Sequence, residues 1–370
     1  MRMSLAVAGA ALAAVTLTIA PARGARSVTV KSGESIQAAV DAAAPGTTVV
    51  VLPGLYHEPG TTHAVTVTRD DIQLVARPRP GQPVVLEQSN GQTDGIWVSP
   101  ADTVDTDDDE KPPCGVSGTS VRNFRLRGFT VRGFSRFGVY LACVSGFRIT
   151  NTISTDNGEY AIFPVVSQHG RLSRSQGART RSDACLYIGE DDDVLVDHNL
   201  ATDCQIGFEI ENSRHIVLRN NVSRANTAGV IVDVINNRLT TECSDNRVEN
   251  NLFDANNRPS SALPGDDTAD LQPGIGIIVA GADRTTVRHN TIRDHTLAGL
   301  TLVDFCLDRA DVCAMPGLGI DPLPDNNRVV ANTFTGNQNA ILYFPNGGQG
   351  NCFARNRPAG TGGSSLPGCP

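Results

Sequence analysis

The segments Cys185-Leu186-Tyr187-Ile188, Gly207-Phe208-Glu209-Ile210 and Gly229-Val230-Ile231-Val232 repeat one pattern at an interval of 22 residues. In each segment a small residue is followed by two apolar residues that flank one further side chain. Other copies of the pattern begin at Gly95, Gly138, Ala161, Gly276, Gly299 and Ala340. A period of this length indicates stacked repeats that share one core, because a single repeat of this size cannot bury its own apolar residues.

A second type of strand, apolar-x-apolar, lies between these copies and ends near an asparagine. The asparagine recurs at Asn151, Asn199, Asn221, Asn251, Asn290 and Asn332. Three short strands and three turns fit into each repeat of 22–24 residues, and strands of successive repeats would stack about 4.8 Å apart. The sequence therefore predicts an all-β fold, a single-stranded parallel β-helix of about 10 coils, with hydrogen-bonded asparagine side chains stacked in a ladder.

The two ends of the chain differ from the repeat. Residues 1–25 contain a basic start, an apolar run and a small-residue cleavage site, so we expect a signal peptide and no membrane association after its removal. Residues 35–43 carry an apolar stripe at helical spacing and predict a short α-helix that caps the first coil. Residues 26–357 would then form one β-helix domain, and residues 358–370, which are rich in Gly, Ser and Pro, an irregular tail.

The composition excludes several function classes. The formal charge is −8, which argues against a broad nucleic-acid-binding surface. The chain has 29 Arg but only two Lys, so a mechanism that needs a catalytic lysine is nearly excluded. No feature of the sequence favours association with a second copy, and we expect a monomer.

The nine cysteines are typical of an oxidised, exported protein. Three disulfides are predicted from sequence proximity and from the repeat register: Cys306–Cys313, Cys352–Cys369 and Cys114–Cys143. Cys185, Cys204 and Cys243 remain, so at least one thiol is unpaired within the chain.

The segment Ser32-Gly33-Glu34-Ser35-Ile36-Gln37-Ala38-Ala39-Val40, together with residues 45–56, is similar to the usual opening of proteins in the pectin-lyase-like superfamily. Residues 158–164, 183–189 and 207–212 resemble a group of exported β-helix repeat proteins. The resemblance covers about residues 28–357 and implies a right-handed parallel β-helix. It implies no single activity, because this scaffold carries lyases, hydrolases, epimerases and non-catalytic adhesins.

Alternation along the first strand of each coil places one column of side chains on the outside of the β-helix. This outer column contains Trp97, Tyr140, Phe163, Tyr187, Glu209 and Ile231. A second column, two residues later, contains Ala142, Val165, Gly189, Glu211 and Asp233. We expect the aromatic side chains to be exposed and to stack against sugar rings.

The acidic residues beside the aromatic ones carry the candidate chemistry. Adjacent carboxylates repel, so at least one should have a raised pKa or hold a cation. Paired carboxylates serve glycoside hydrolysis as acid and as base or nucleophile. They could instead bind a Ca²⁺ ion that neutralises a uronate, while a base removes its C5 proton.

These considerations assign roles to residues as follows. The predicted catalytic residues are Tyr187, Glu209, Glu211 and Asp233. The predicted substrate-binding residues are Trp97, Tyr140, Tyr160, Phe163, His169 and Arg214. The candidate Ca²⁺ ligands are Glu190, Glu209 and Glu211, and no other cofactor is expected.

Four insertions interrupt the repeat, at about 100–118, 235–244, 255–272 and 304–326. Long loops on a regular scaffold often form the walls of a binding cleft. The first insertion carries an acidic run at 105–110, and the third carries Asp266, Asp267 and Asp270. Such runs are more often solvated loops than metal sites.

The sequence thus predicts a secreted, extracellular polysaccharide lyase or hydrolase that acts on an acidic glycan. The alternative is a non-catalytic glycan-binding or surface protein that uses the same outer column. Convergence of Tyr187, Glu209, Glu211 and Asp233 in a cleft walled by the insertions would favour the enzyme. A flat, exposed column would favour the binding protein.

Overall fold

The computed structural model describes residues 26–103, 114, 118–236, 238–266, 268–307, 313–314, 317–358 and 366–370. The predicted signal peptide, the acidic run at 105–110 and Asp267 lie outside these residues. Within the described residues, successive strands belong to three parallel sheets in turn, and each strand pairs with its equivalent in the next coil. This is a single-stranded, right-handed parallel β-helix, as the sequence predicts.

The three sheets are named A, B and C. Sheet A contains Arg26–Val30, Thr47–Val51, Gln73–Ala76, Val121–Arg122, Arg125–Arg127, Val144–Ser145, Arg148–Thr150, Gln168–Ser173, Asp192–Asp197, Val217–Arg219, Arg247–Glu249, Thr286–Arg288, Arg328–Val330 and Cys352–Ala354. Sheet B contains Gly54–Tyr56, Val84–Glu87, Thr130–Arg132, Ile153–Thr155, Gln176–Ala178, Leu200–Thr202, Val222–Arg224, Leu252–Asp254, Thr291–Arg293 and Thr333–Thr335. Sheet C contains His63–Val67, Asp94–Val98, Val139–Ala142, Ile162–Val165, Ala184–Gly189, Ile206–Glu211, Ala228–Asp233, Ile275–Ala280, Ala298–Val303 and Ile341–Phe344. Sheets B and C have ten strands each, which agrees with the predicted number of coils.

The predicted capping helix is present at Ile36–Ala42. Ser35 caps it, because its side chain accepts a hydrogen bond from the Ala38 amide. The carboxylate of Glu58 accepts a further bond of 2.7 Å from the amide of Ile36. Ile36 and Val40 are buried in the core of the first coils, so the helix covers apolar residues that the end of the stack would otherwise expose. A short 3₁₀ helix, Phe305–Leu307, lies in the fourth insertion.

The predicted asparagine ladder runs through six coils. The amide nitrogen of each side chain donates to the side-chain oxygen of the next at 3.0–3.1 Å, from Asn199 through Asn221, Asn251, Asn290 and Asn332 to Asn356. Asn151 is not a member, because Thr152 and Ser175 occupy the ladder position in the two preceding coils. The residue directly before each ladder member adopts the left-handed conformation, for example Asn220 and Asn250.

The three predicted disulfides are confirmed: Cys114–Cys143, Cys306–Cys313 and Cys352–Cys369. A fourth bond joins Cys185 to Cys204, and Cys243 is the free, buried thiol. Four disulfides are typical of an exported protein. No helix among the described residues is both long and apolar enough to cross a membrane.

Candidate functional site

The outer column of sheet C has the register that the sequence predicts. Tyr140 pairs with Trp97 in one direction and with Phe163 in the other. Further along, Glu209 pairs with Tyr187 and with Ile231. The second column is also in register, since Glu211 pairs with Gly189 and with Asp233.

The expectation that the aromatic residues of this column are exposed is wrong. Trp97 is 5 % exposed, Tyr140 1 %, and Phe163 and Tyr187 are fully buried. They form an apolar cluster outside the inner core, in which the rings of Trp97 and Tyr140 stack at 4.0 Å. Exposure of this apolar cluster to water would be unfavourable. Phe137 and residues of the insertions, such as Leu271, pack against it. Trp97, Tyr140 and Phe163 therefore present no ring to a sugar.

The structure brings three predicted catalytic residues together. Glu209 and Glu211 lie on the outer face of Ile206–Glu211, and Asp233 ends the next strand of the sheet. One carboxylate oxygen from each lies within 4.8 Å of the other two, and all three side chains are buried. We call Glu209, Glu211 and Asp233 the acid group.

Two residues that we did not predict complete the surroundings of the acid group. The Nε of Arg238 donates to Glu211 at 2.6 Å, and both side chains are almost fully buried. The carboxyl of Asp183 lies near Glu209, whose pKa it raises, and accepts a bond of 3.1 Å from the hydroxyl of Tyr160. Arg238 lies in the second insertion, which has no repeat register, and Asp183 lies just before its strand, so neither could be assigned to a column.

The surroundings raise the proton affinity of both glutamates. Burial, together with the negative charges of Asp183, Asp233 and Glu211, raises the pKa of Glu209 well above its ordinary value. Burial also raises the pKa of Glu211, to about 7, against the charge and hydrogen bond of Arg238. The nearby hydroxyl of Tyr187 also lowers the pKa of Glu211 and so favours its ionised form. Tyr187 does not line the cleft over these carboxyls, so the prediction that it is a catalytic residue is not supported by the geometry.

A cleft of about 490 Å³ opens over the acid group. Its walls come from three of the predicted insertions, through Arg238, residues 268–272 and Phe305–Leu307. Apolar side chains of the later coils, including Ile278 and Phe344, line the remainder. Among the described residues that line the cleft, one side chain is basic, Arg238, and six are acidic: Asp183, Glu209, Glu211, Asp233, Asp270 and Asp304.

The remaining predicted site residues lie apart from this cleft, except for Tyr160, which lines it. His169 is exposed on sheet A, and Arg214 pairs at the surface with Glu242 at 3.1 Å. Glu190 is buried, accepts a bond of 2.7 Å from the Thr240 amide and does not belong to the acid group. The predictions that His169 and Arg214 bind substrate and that Glu190 is a Ca²⁺ ligand are therefore not supported by the geometry.

A second groove, of about 580 Å³, lies where sheet A turns into sheet B. Arg77, Arg127, Thr130 and Asn151 contribute its polar side chains. No acidic residue is found among the described residues that line it. It therefore lacks the groups that acid–base chemistry needs.

Solved structures similar to the chain are β-helix proteins. The A-module of mannuronan C-5 epimerase AlgE4 from Azotobacter vinelandii is 17 % identical, with a TM-score of 0.64 over 90 % of this chain and 93 % of that one. The A-module of AlgE6 from the same organism is 21 % identical, with a TM-score of 0.59 over 90 % and 94 %. A mutant tailspike protein of E. coli bacteriophage HK620, solved with a pentasaccharide, is 12 % identical, with a TM-score of 0.59 over 89 % and 60 %. At these identities the likeness establishes the fold alone.

At the level of sequence, no curated protein matches the chain. Residues 116–361, which are more than half of the chain, match a family described as "Periplasmic copper-binding protein (NosD)". That span includes the acid group, its partners Asp183 and Arg238, and the three insertions that form the cleft. The chain therefore belongs to the NosD family of parallel β-helix proteins.

Proposed function

We propose that the protein is a secreted, carbohydrate-active enzyme that cleaves a glycan in the cleft over the acid group. The observation that carries the proposal is the group itself: three buried carboxyls at the base of a cleft, one of them, Glu211, held by an arginine. Glycosidases use a carboxyl with a raised pKa as the acid and a second carboxyl, kept ionised by its surroundings, as base or nucleophile. The epimerase and tailspike likenesses agree with a glycan partner.

The arrangement supports a division of roles within the acid group. Glu209, whose raised pKa favours its protonated form, donates its proton to the oxygen of the leaving sugar. Asp233, or Glu211 held by Arg238, supplies the negative charge that stabilises the positively charged sugar or activates water. The proton that water releases restores Glu209 for the next cycle.

The charge of the cleft favours an uncharged glycan as substrate. Six acidic side chains and one arginine line it, so a uronate would be repelled unless a cation were bound. The acidic glycan that the sequence favoured thus fits this cleft less well. A lyase acting on such a glycan is the second candidate, and it would need Ca²⁺ at Glu209, Glu211 and Asp233, whose oxygen-only donors suit this ion.

Copper, which the family description names, does not fit these residues. Copper sites in proteins favour imidazole, thiolate and thioether ligands. Within the described part of the chain, the one group of three or more metal-binding side chains consists of carboxylates. Burial raises the pKa of Cys243 well above the ordinary range, so its thiolate is not available as a ligand.

The test is a screen of neutral and uronic-acid glycans for new reducing ends and for the ultraviolet absorbance of unsaturated products, with Ca²⁺ and with a chelator. We expect reducing ends without unsaturated products, and a loss of about 10²- to 10⁴-fold in Glu209→Gln, which removes the acid. Glu242→Gln, an equal change at an exposed carboxylate, serves as the control.

Other outcomes separate the alternatives. Unsaturated products that depend on Ca²⁺ would identify the lyase. If wild-type protein acts on no glycan in the screen, the enzyme proposal is wrong and a non-catalytic binding protein is the remaining reading.

A further inference from the structure

Three arginines lie in exact register on the outer face of sheet A. Arg148 pairs with Arg125 on one side and with Arg171 on the other. Their side chains therefore project in the same direction from three consecutive coils, about 4.8 Å apart. Arg127, two residues after Arg125, projects from the same face.

This ladder of like charges is not neutralised as other charges on the sheet are. Like charges directly opposite each other on neighbouring strands destabilise a sheet. In the next column the signs alternate through Asp197, Arg219, Glu249 and Arg288, and Arg288 binds Glu249 at 2.6 Å. Among the described residues, one carboxylate reaches the ladder, that of Asp197, which pairs with Arg171 at its edge.

The other arginines of the ladder have no such partner. Arg125, Arg127 and Arg148 are exposed, and within the described residues they make no side-chain ion pair or hydrogen bond. Their guanidinium groups are thus free to bind an anion. Aligned arginines lower the stability of the fold and leave their guanidinium donors without partners. Such an arrangement is expected where an external binding partner supplies the negative charge.

The groove of about 580 Å³ extends this basic surface. Arg127 lines the groove and also lies beside the ladder, and Arg77 contributes a second basic side chain. The groove and the ladder together form a continuous strip without an acidic lining residue among those described, apart from the edge contact of Asp197. We call Arg77, Arg125, Arg127, Arg148 and Arg171 the arginine face.

We propose that the arginine face binds an anionic polysaccharide, a sugar polymer that bears carboxylate or sulfate groups at regular intervals. The planar guanidinium donates paired hydrogen bonds to such groups. Arginines repeated at the spacing of the coils suit a polymer whose charges repeat along an extended chain. The net charge of −8 opposes a nucleic acid, whose charge is dense on every side.

The site is independent of the proposed catalysis. The arginine face is on sheets A and B, whereas the acid group and its cleft are on sheet C. Binding there would hold the exported protein on an acidic matrix while the cleft acts on a different glycan. Failure of either proposal leaves the other untouched.

The test compares two double variants with equal loss of charge. Arg125→Gln with Arg148→Gln removes the free part of the ladder, and Arg247→Gln with Arg328→Gln removes exposed arginines from the same column in later coils. Binding to polygalacturonate, to heparin and to neutral dextran is measured at low and at high salt. We expect the first double variant to bind the anionic polymers about 5- to 30-fold more weakly, since each exposed charge contact contributes modestly.

The control double variant should bind within about 2-fold of wild type, and high salt should weaken binding by wild type. A preference between polygalacturonate and heparin would identify the anionic group. Binding should persist in Glu209→Gln, and the anionic polymer should raise the melting temperature of wild type but not of the ladder variant. Equal losses in the two double variants, tighter binding to duplex DNA, or no binding by wild type would overturn the proposal.

Discussion

The carboxyl group of Glu209 lies between other acidic side chains and a layer of buried aromatic rings. Tyr187 precedes it in the outer column, and the negative charge of Asp183 raises its pKa. Each neighbour disfavours the ionised form, the rings by excluding water and the carboxyls by repulsion. Glu209 can therefore remain protonated at a pH at which an exposed glutamate would be ionised.

This environment makes the stability of the fold depend on pH. Because the pKa of Glu209 is raised in the folded state, the folded protein binds its proton more tightly than the unfolded chain does. The resulting stabilisation is complete below about pH 4, the unfolded value, and is lost as the pH rises towards the folded pKa. Glu209→Gln cannot ionise, so it should unfold at higher urea concentration than wild type at pH 8, with a smaller difference at pH 5.

Urea denaturation at both pH values measures this effect. Glu242→Gln, at an exposed carboxylate, should show no such growth of the difference with pH. A Glu209→Gln variant that is less stable than wild type at pH 8 would show that the ionised carboxylate is well accommodated, against the buried arrangement described above.

At the scale of single residues, the sequence predicted positions better than surroundings. The 22-residue interval and the alternation of side chains along each strand were enough to align Glu209, Glu211 and Asp233. Both features follow directly from the pairing of the backbone between coils. The burial of Trp97 and Tyr140 was not predictable in this way. It depends on insertions that pack over the sheet without any period.

The asparagine ladder is the element that ties successive coils together at one turn. Asn251 is buried; its side chain donates to the carbonyl of Leu218 at 2.9 Å and to Asn290, and it accepts from Asn221. Removing it would leave buried backbone and side-chain groups of two coils without partners. The ladder could be predicted because the asparagine recurs at the same position of each repeat. Asn151 is not a member, because it occupies the left-handed position that directly precedes the ladder position.

We therefore expect Asn251→Ala to lower the free energy of unfolding by about 2 to 3 kcal/mol. Asn356→Ala, at the half-buried last position of the same ladder, should cost about 1 kcal/mol, because water can reach the groups that it leaves. Urea denaturation of the two variants provides the comparison. Equal costs at both positions would mean that burial does not determine the strength of the ladder.

At the scale of the whole molecule, the cysteines differ in how deeply they are buried. Cys185 and Cys204 are fully buried between coils, and the free Cys243 is 2 % exposed. Burial raises the pKa of the Cys243 thiol far above neutrality, so almost no reactive thiolate forms in the folded protein. The sequence established that one thiol was left over, but not which one, because pairing depends on contacts between coils.

Alkylation of native protein without reductant should therefore leave Cys243 unmodified, and denaturation should expose one reactive thiol per chain. With mild reductant, Cys352–Cys369 at the tail should open before Cys185–Cys204, which becomes reducible only on unfolding. Peptide mass spectrometry after alkylation identifies each site. Rapid labelling of Cys243 in native protein would contradict its enclosure.

The pairing of Glu211 with Asp233 in adjacent coils has a consequence for how the cleft can vary. The distance between these two strand positions is determined by the main-chain hydrogen bonds that join neighbouring coils. The loops above them are not held by this pairing. Substitutions or insertions in those loops would change which molecules fit the cleft, and the spacing of the reacting carboxyls would stay the same. Selectivity and chemistry are thus assigned to physically separate parts of one chain.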